Sequence, residues 1–149
     1  MRVATFRGAA LNDALMIIDN QARRRQVLAR FAQKAGRNPV ALDNAAEIAD
    51  HHALIERANI AFVHESLLAD VATELRFSNP GIVIVGLTSG PEQNAFPRMQ
   101  EADLFAPETM PFVQFQYLLA SAERFAAERR LSAERSALRV SLVHWYHER

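Results

Sequence analysis

Three places along this chain set a chemically capable side chain at the end of an apolar run, and a fourth stands ahead of a long helix. Asp19 and Asn20 close Ala14-Leu15-Met16-Ile17-Ile18, and His64 closes Asn59 to Val63. Thr88 and Ser89 follow Ile82-Val83-Ile84-Val85, while Met110-Pro111 stand ahead of a long amphipathic stretch. A carboxylate at such a position holds a divalent cation or orients a histidine, an imidazole acts as nucleophile, base or ligand, and a hydroxyl caps a loop or binds an anion. The remaining histidines promise less. His51 and His52 are adjacent on a predicted helix, so one packs and the other is solvated. His144 and His147 have a helical metal-ligand spacing beside Glu148 but no third ligand. Gly86 and Gly90 flank a turn and make no phosphate cradle.

The elements that must position these residues alternate between two periods. The run from Ala14 to Ile18 reads as a buried strand. Gln21 to Ala35 reads as a helix that places Val27, Leu28, Phe31 and Ala35 inward and Arg23, Arg24, Arg25 and Lys34 outward, stopping at Gly36. Pro39 to Leu42 is a second strand. Asp43 or Asn44 caps a helix carrying Ile48, His52 and Ile55 on one stripe. Asn59 to Val63 is a third strand, and a helix from about Ser66 turns Leu67, Leu68, Val71 and Leu75 inward before Asn79-Pro80-Gly81 ends it. Ile82 to Val85 is the strongest strand, uninterrupted and β-branched. Pro91 to Glu101 reads as a weak helix, Leu104 to Ala106 as a fifth strand, and Pro111 to Arg130 as a strong helix using Phe115, Leu118, Leu119, Ala122 and Phe125. Val3 to Phe6 suits an extra edge strand. Repeated strand-helix units predict a doubly wound α/β domain with a parallel sheet, right-handed crossovers and chemistry at the carboxyl ends of the strands.

Composition narrows the partners. The chain has 149 residues, half of them apolar, which suits one core burying roughly 68–70% of the unfolded surface. Its 17 basic and 17 acidic residues cancel, so no net field draws it to nucleic acid or to an anionic membrane. It contains no cysteine, which excludes disulfides and thiolate chemistry. No run approaches the length of a membrane span, and a cytoplasmic location is expected. The basic runs Arg23-Arg24-Arg25 and Arg129-Arg130 read as solvated helix faces, the second with Glu123, Glu128 and Glu134 as neighbours.

From Ala14 to Arg130 the order of elements, the MIIDN segment, the hydroxyl residue of GLTS and the Pro-Phe of TMPF resemble a response-regulator receiver domain. The resemblance implies a flavodoxin-like sheet of order 2-1-3-4-5. It also implies two acidic residues holding Mg²⁺ after the first strand, a phosphoacceptor aspartate after the third, a Thr or Ser after the fourth, and a lysine before a commonly cis proline. On this sequence Asp19 keeps one acidic position and Asn20 replaces the other. His64 stands at the phosphoacceptor, Thr88 keeps the hydroxyl, Met110 stands at the lysine and Pro111 keeps the proline. The helix after His64 also begins early, without the usual proline- and glycine-containing loop. An acyl phosphate needs a carboxylate nucleophile, and a thioether cannot replace a cation, so the pocket reads as degenerate, with His64 hydrogen-bonded to Asp19 or Asn20 rather than accepting a phosphoryl group or ligating a metal with Asp19.

Residues 1–13 are expected to form an N-terminal extension, 14–130 the receiver-like domain, and 131–149 a helical extension. Leu138, Leu142 and Trp145 recur on that extension at helical spacing and, with Phe105 and Phe115, make the expected interaction surface. A homodimer is expected. Two functions compete. The first is a pseudo-receiver, not an enzyme and without cofactor or metal, that binds a sensor kinase or output protein in bacterial two-component signalling. The second is a small-molecule-binding or enzymatic α/β domain using a pocket around Asp19, His64 and Thr88.

Overall fold

Branched apolar side chains that find cover on both sides of a sheet explain the three central strands. In β1 (Ala14–Ile18), β3 (Ile60–His64) and β4 (Val83–Thr88) every residue is buried. The edges are β2 (Asn38–Leu42) and β5 (Leu104–Pro107). The computed structural model describes residues 14–90 and 100–148, with side chains through residue 141. All neighbouring strands pair in parallel, in the order β2-β1-β3-β4-β5, which is the flavodoxin-like, doubly wound architecture expected.

Alternation of side chains along the strands divides the core in two. One face carries Met16, Ile18, Ala61, Val63 and Ile84. Against it pack a 3-10 turn (Ala45–His51), helix α2 (His52–Arg57) and helix α3 (Glu65–Ser78). The other face carries Leu15, Ile17, Phe62, Val83, Val85 and Leu87, covered by α1 (Ala22–Lys34) and the first half of α4 (Phe112–Glu148). Phe62 and Phe115 stack with ring centroids 5.4 Å apart, and Phe31 lies tilted against Phe115 at 5.5 Å.

Local signals place the helix ends. Gly36 adopts a φ of 82°, a left-handed conformation that glycine enters without a Cβ clash, and the amide of Arg37 then reaches the carbonyl of Ala32 at 2.8 Å. Asn44 accepts the Glu47 amide while the Glu47 carboxylate accepts the Asp43 amide, a reciprocal cap for the 3-10 turn.

Several expectations require correction. Phe115 is 0% exposed, so it belongs to the core and not to an interaction surface. Phe105 is half-buried and packs against the first core. Leu138 is 63% exposed, and the side chains of Leu142 and Trp145 lie outside those described. His52 is exposed, because the tighter 3-10 winding before it shifts the phase that a continuous α-helix would have kept. His51 is half-buried beside it. Arg129 is no solvated face: it bonds Asp103 at 2.7 Å and the Ile82 carbonyl at 2.8 Å. The weak helix expected from Pro91 falls almost wholly on residues 91–99, outside those described, as does the edge strand expected at Val3 to Phe6. No helix among the described residues is long and apolar enough to cross a membrane.

Candidate functional site

Sheet register brings the candidate residues into one row. Ile18 pairs with Val63, His64 with Leu87, and Thr88 with Pro107, so Asp19, His64, Thr88 and Glu108 line the carboxyl ends of β1, β3, β4 and β5. The order of strands reverses between β1 and β3, and in open α/β sheets ligands gather at such a switch point.

Asp19 is fully buried and already satisfied. Its Oδ2 accepts from Arg24 Nε at 2.8 Å, and its Oδ1 accepts from Arg24 Nη2 at 2.9 Å and from the Gln21 amide at 2.9 Å. This fork-to-fork pairing is among the strongest ion-pair geometries. Arg24 extends its remaining nitrogen to Glu108 at 3.5 Å, and Arg25 donates to the Asp19 carbonyl at 2.8 Å. Arg24 and Arg25 therefore turn inward from the first turn of α1, where solvated side chains were expected. The hydrogen bonds to Asp19 raise the Arg24 guanidinium above its ordinary pKa. Partial burial opposes this, and the charges of Asp19 and Glu108 add to it.

His64 does not bond Asp19 or Asn20. Its Nε2 meets Glu108 Oε2 at 2.6 Å, while its Nδ1 meets Ser66 Oγ at 2.8 Å and accepts the Ser66 amide at 3.2 Å. The ring is thus the N-cap of α3, which begins directly at Glu65 with no intervening loop. A capping nitrogen must carry a lone pair, which places the ring's proton on Nε2, facing the carboxylate. The two expected partners are unsuited for physical reasons. Asp19 is taken by an arginine five residues away, and Asn20 points to solvent.

Thr88 is buried and its Oγ1 accepts the Gly90 amide at 3.1 Å, the loop-capping role anticipated. Ser89 is held by Glu65, amide to Oε2 at 3.3 Å and hydroxyl to Oε1 at 3.2 Å. Met110 packs against the second core and, with Arg24, Val27, Phe31 and Glu108, lines a cavity of about 180 Å³. Pro111 is exposed, leads into α4 and follows a peptide bond that is not cis.

Mg²⁺ does not fit these residues. The one carboxylate at the end of β1 is saturated by a guanidinium, and the adjacent position offers an amide instead of a second anion. No group of three metal-binding side chains exists among the described residues. Arg24, Glu108 and Ser66 were missed from the sequence. Glu108 follows the fifth strand as the other candidates follow theirs, and that placement was the available signal. Arg24 offered none beyond lying five residues after Asp19.

Solved structures share this architecture, and those similar to it include receiver domains. The response regulator TrrA from Thermotoga maritima, solved with Mg²⁺ and BeF, is 15% identical with a TM-score of 0.61, over 74% of this chain and 98% of that one. A response regulator receiver domain protein from Clostridium thermocellum gives 15% identity and a TM-score of 0.64, over 79% and 97%. The signal receiver domain of an HD domain-containing protein from Pseudomonas fluorescens Pf-5 gives 11% and 0.66, over 78% and 98%. No family model matches the sequence, and no curated protein matches it. At these identities the likeness is one of fold.

Proposed function

We propose that this chain is a pseudo-receiver, a phosphorylation-independent protein-interaction module of two-component-type signal transduction. The reading is carried by one observation: Arg24 grips both oxygens of Asp19 while Glu108 grips His64, so the pocket supplies its own cation and its own anion. Phosphoryl transfer requires a positioned nucleophile and charge neutralisation by a metal or a free cation. Here the acceptor is an imidazole in use as a helix cap, the position of the lysine is a thioether, and the arginine is committed. The module works through its surface, with a sensor kinase or an output protein as partner and a second copy of itself as a further one, in the cytoplasm. The fold's resemblance to receiver domains supports the signalling context.

Amide NMR spectra recorded with and without Mg²⁺ and beryllofluoride test this. No chemical-shift change is expected around His64 and Thr88, and changes clustered there would overturn the reading.

The cavity beside Met110 favours a second reading, a binding site for a small molecule or for one side chain of a partner. Its roughly 180 Å³ lies below the usual ~300–1,000 Å³ of small-molecule pockets, which favours the side chain. Substituting Val27→Arg closes the cavity's edge. A partner recovered by pull-down with the wild type and lost with this variant supports docking there, whereas unchanged recovery removes the cavity from the interaction.

A further inference from the structure

Helix α4 continues past the domain without a break, and from Arg130 to Ser141 every residue is exposed. Leu131 is 48% exposed and Leu138 63%. An isolated helical stretch of this length is marginal in water, so its apolar stripe calls for a cover. Leu131 and Leu138 are seven residues apart, and Leu142 and Trp145 continue the same 3-4 spacing. In heptad terms Leu131, Leu138 and Trp145 fall at d, and Arg135 and Leu142 at a.

The charges beside this seam specify the occupant. Glu134 falls at g and Arg139 at e, five residues later. In a parallel, in-register pair of helices the g residue of one chain faces the following e residue of the other. Each copy therefore sets Glu134 against Arg139 of its twin, twice by symmetry. An antiparallel pairing sets g against g and e against e, which brings like charges together. Within one helix Arg135 and Arg139 repel across one turn, and a partner's Glu134 relieves that repulsion. A charged residue at a single a position selects register at a cost in stability, the part Arg135 plays. The exposed segment carries both signs of charge, which gives it no preference for an anionic lipid surface or for nucleic acid.

From this we infer that residues 131–148 form a parallel, in-register two-stranded coil with a second copy of this chain. The inference specifies the self-association named above and is independent of what the strand-end pocket does. The natural absence of cysteine makes the test clean. Leu131→Cys and Leu138→Cys, made separately, are expected each to give a disulfide-linked dimer under mild oxidation, because only a parallel in-register pair sets both positions against their own copies. Val140→Cys, at f on the outer side, is expected to link at least tenfold more slowly. Sedimentation equilibrium of the unmodified chain is expected to give a dimer, Leu138→Asp a monomer with unchanged amide NMR shifts in the sheet, and Val140→Lys a dimer. Efficient linking at only one of the two leucines, equal linking at Val140, a monomeric or trimeric wild type, or a Leu138→Asp variant that remains dimeric would overturn the proposal. The beryllofluoride spectra are unaffected by any of these results, so the two readings stand or fall separately.

Discussion

Arg24 is the residue on which the strand-end pocket turns. Asp19 has no exposed surface, and among the described residues its carboxylate takes, apart from Arg24, the Gln21 amide. Removing the guanidinium leaves an almost unpaired charge in the core, the situation in which breaking one side of an ion pair costs most. Arg24→Met is expected to lower unfolding stability by about 3 kcal/mol, read from urea denaturation. Adding Asp19→Asn to it is expected to restore most of the loss, because the surviving amide needs no counter-charge. The pKa of Arg24 is raised on folding, so its stabilising contribution is fully present below the guanidinium's unfolded value and disappears only as pH rises through the still higher folded one. The deficit of Arg24→Met should therefore stay constant from about pH 6 to 9. The loop-capping Thr88 was visible in the sequence as a residue type in position. The partners of Asp19 and His64 were not, because a basic run on a helix gives no indication of which arginine will fold back over the helix start.

The elements were more legible than their contacts. Strands buried on both faces write themselves as continuous apolar runs, and helices that cover one face show a 3.6-residue period, so β1, β3, α1 and α3 appear at the expected places within a residue or two, while β4 runs three residues further than expected, to Thr88. Periodicity finds an apolar face without saying what meets it, and there Phe115 was misplaced. It stacks on Phe62 under the sheet, whereas Tyr117, two residues on, is 73% exposed. Phe115→Ala is expected to destabilise the fold by about 4 kcal/mol. Tyr117→Ala should change it by no more than about 0.5 kcal/mol. Thermal and urea unfolding of the two variants make the comparison, and equal losses would show that α4 packs differently. His52 illustrates a second limit. A 3-10 turn has the composition of an α-helix but advances faster, so the stripe drawn through Ile48, His52 and Ile55 keeps its isoleucines and loses its histidine.

Across the whole molecule, core packing along α4 and one polar anchor together set where the long helix points. Asp103 accepts the Ile84 amide at 2.8 Å and binds Arg129 at 2.7 Å, while Arg129 also holds the Ile82 carbonyl. Strand β4, the segment before β5 and α4 are thus fastened together two residues before Leu131. Asp103→Ala is expected to speed hydrogen exchange at the Ile84 amide by about tenfold or more, the loss of one charge-assisted bond of about 1.5–3 kcal/mol. Exchange at the central strand amides of β1 should stay unchanged. The same anchor has a geometric consequence. A helix rises 1.5 Å per residue, so Glu148 stands about 28 Å from Arg129, and each residue turns the path by about 100°. A group attached at Glu148 is therefore set in direction as well as in distance. Removing seven residues from the exposed stretch shortens the arm with little change of heading, whereas removing two swings that group to nearly the opposite side.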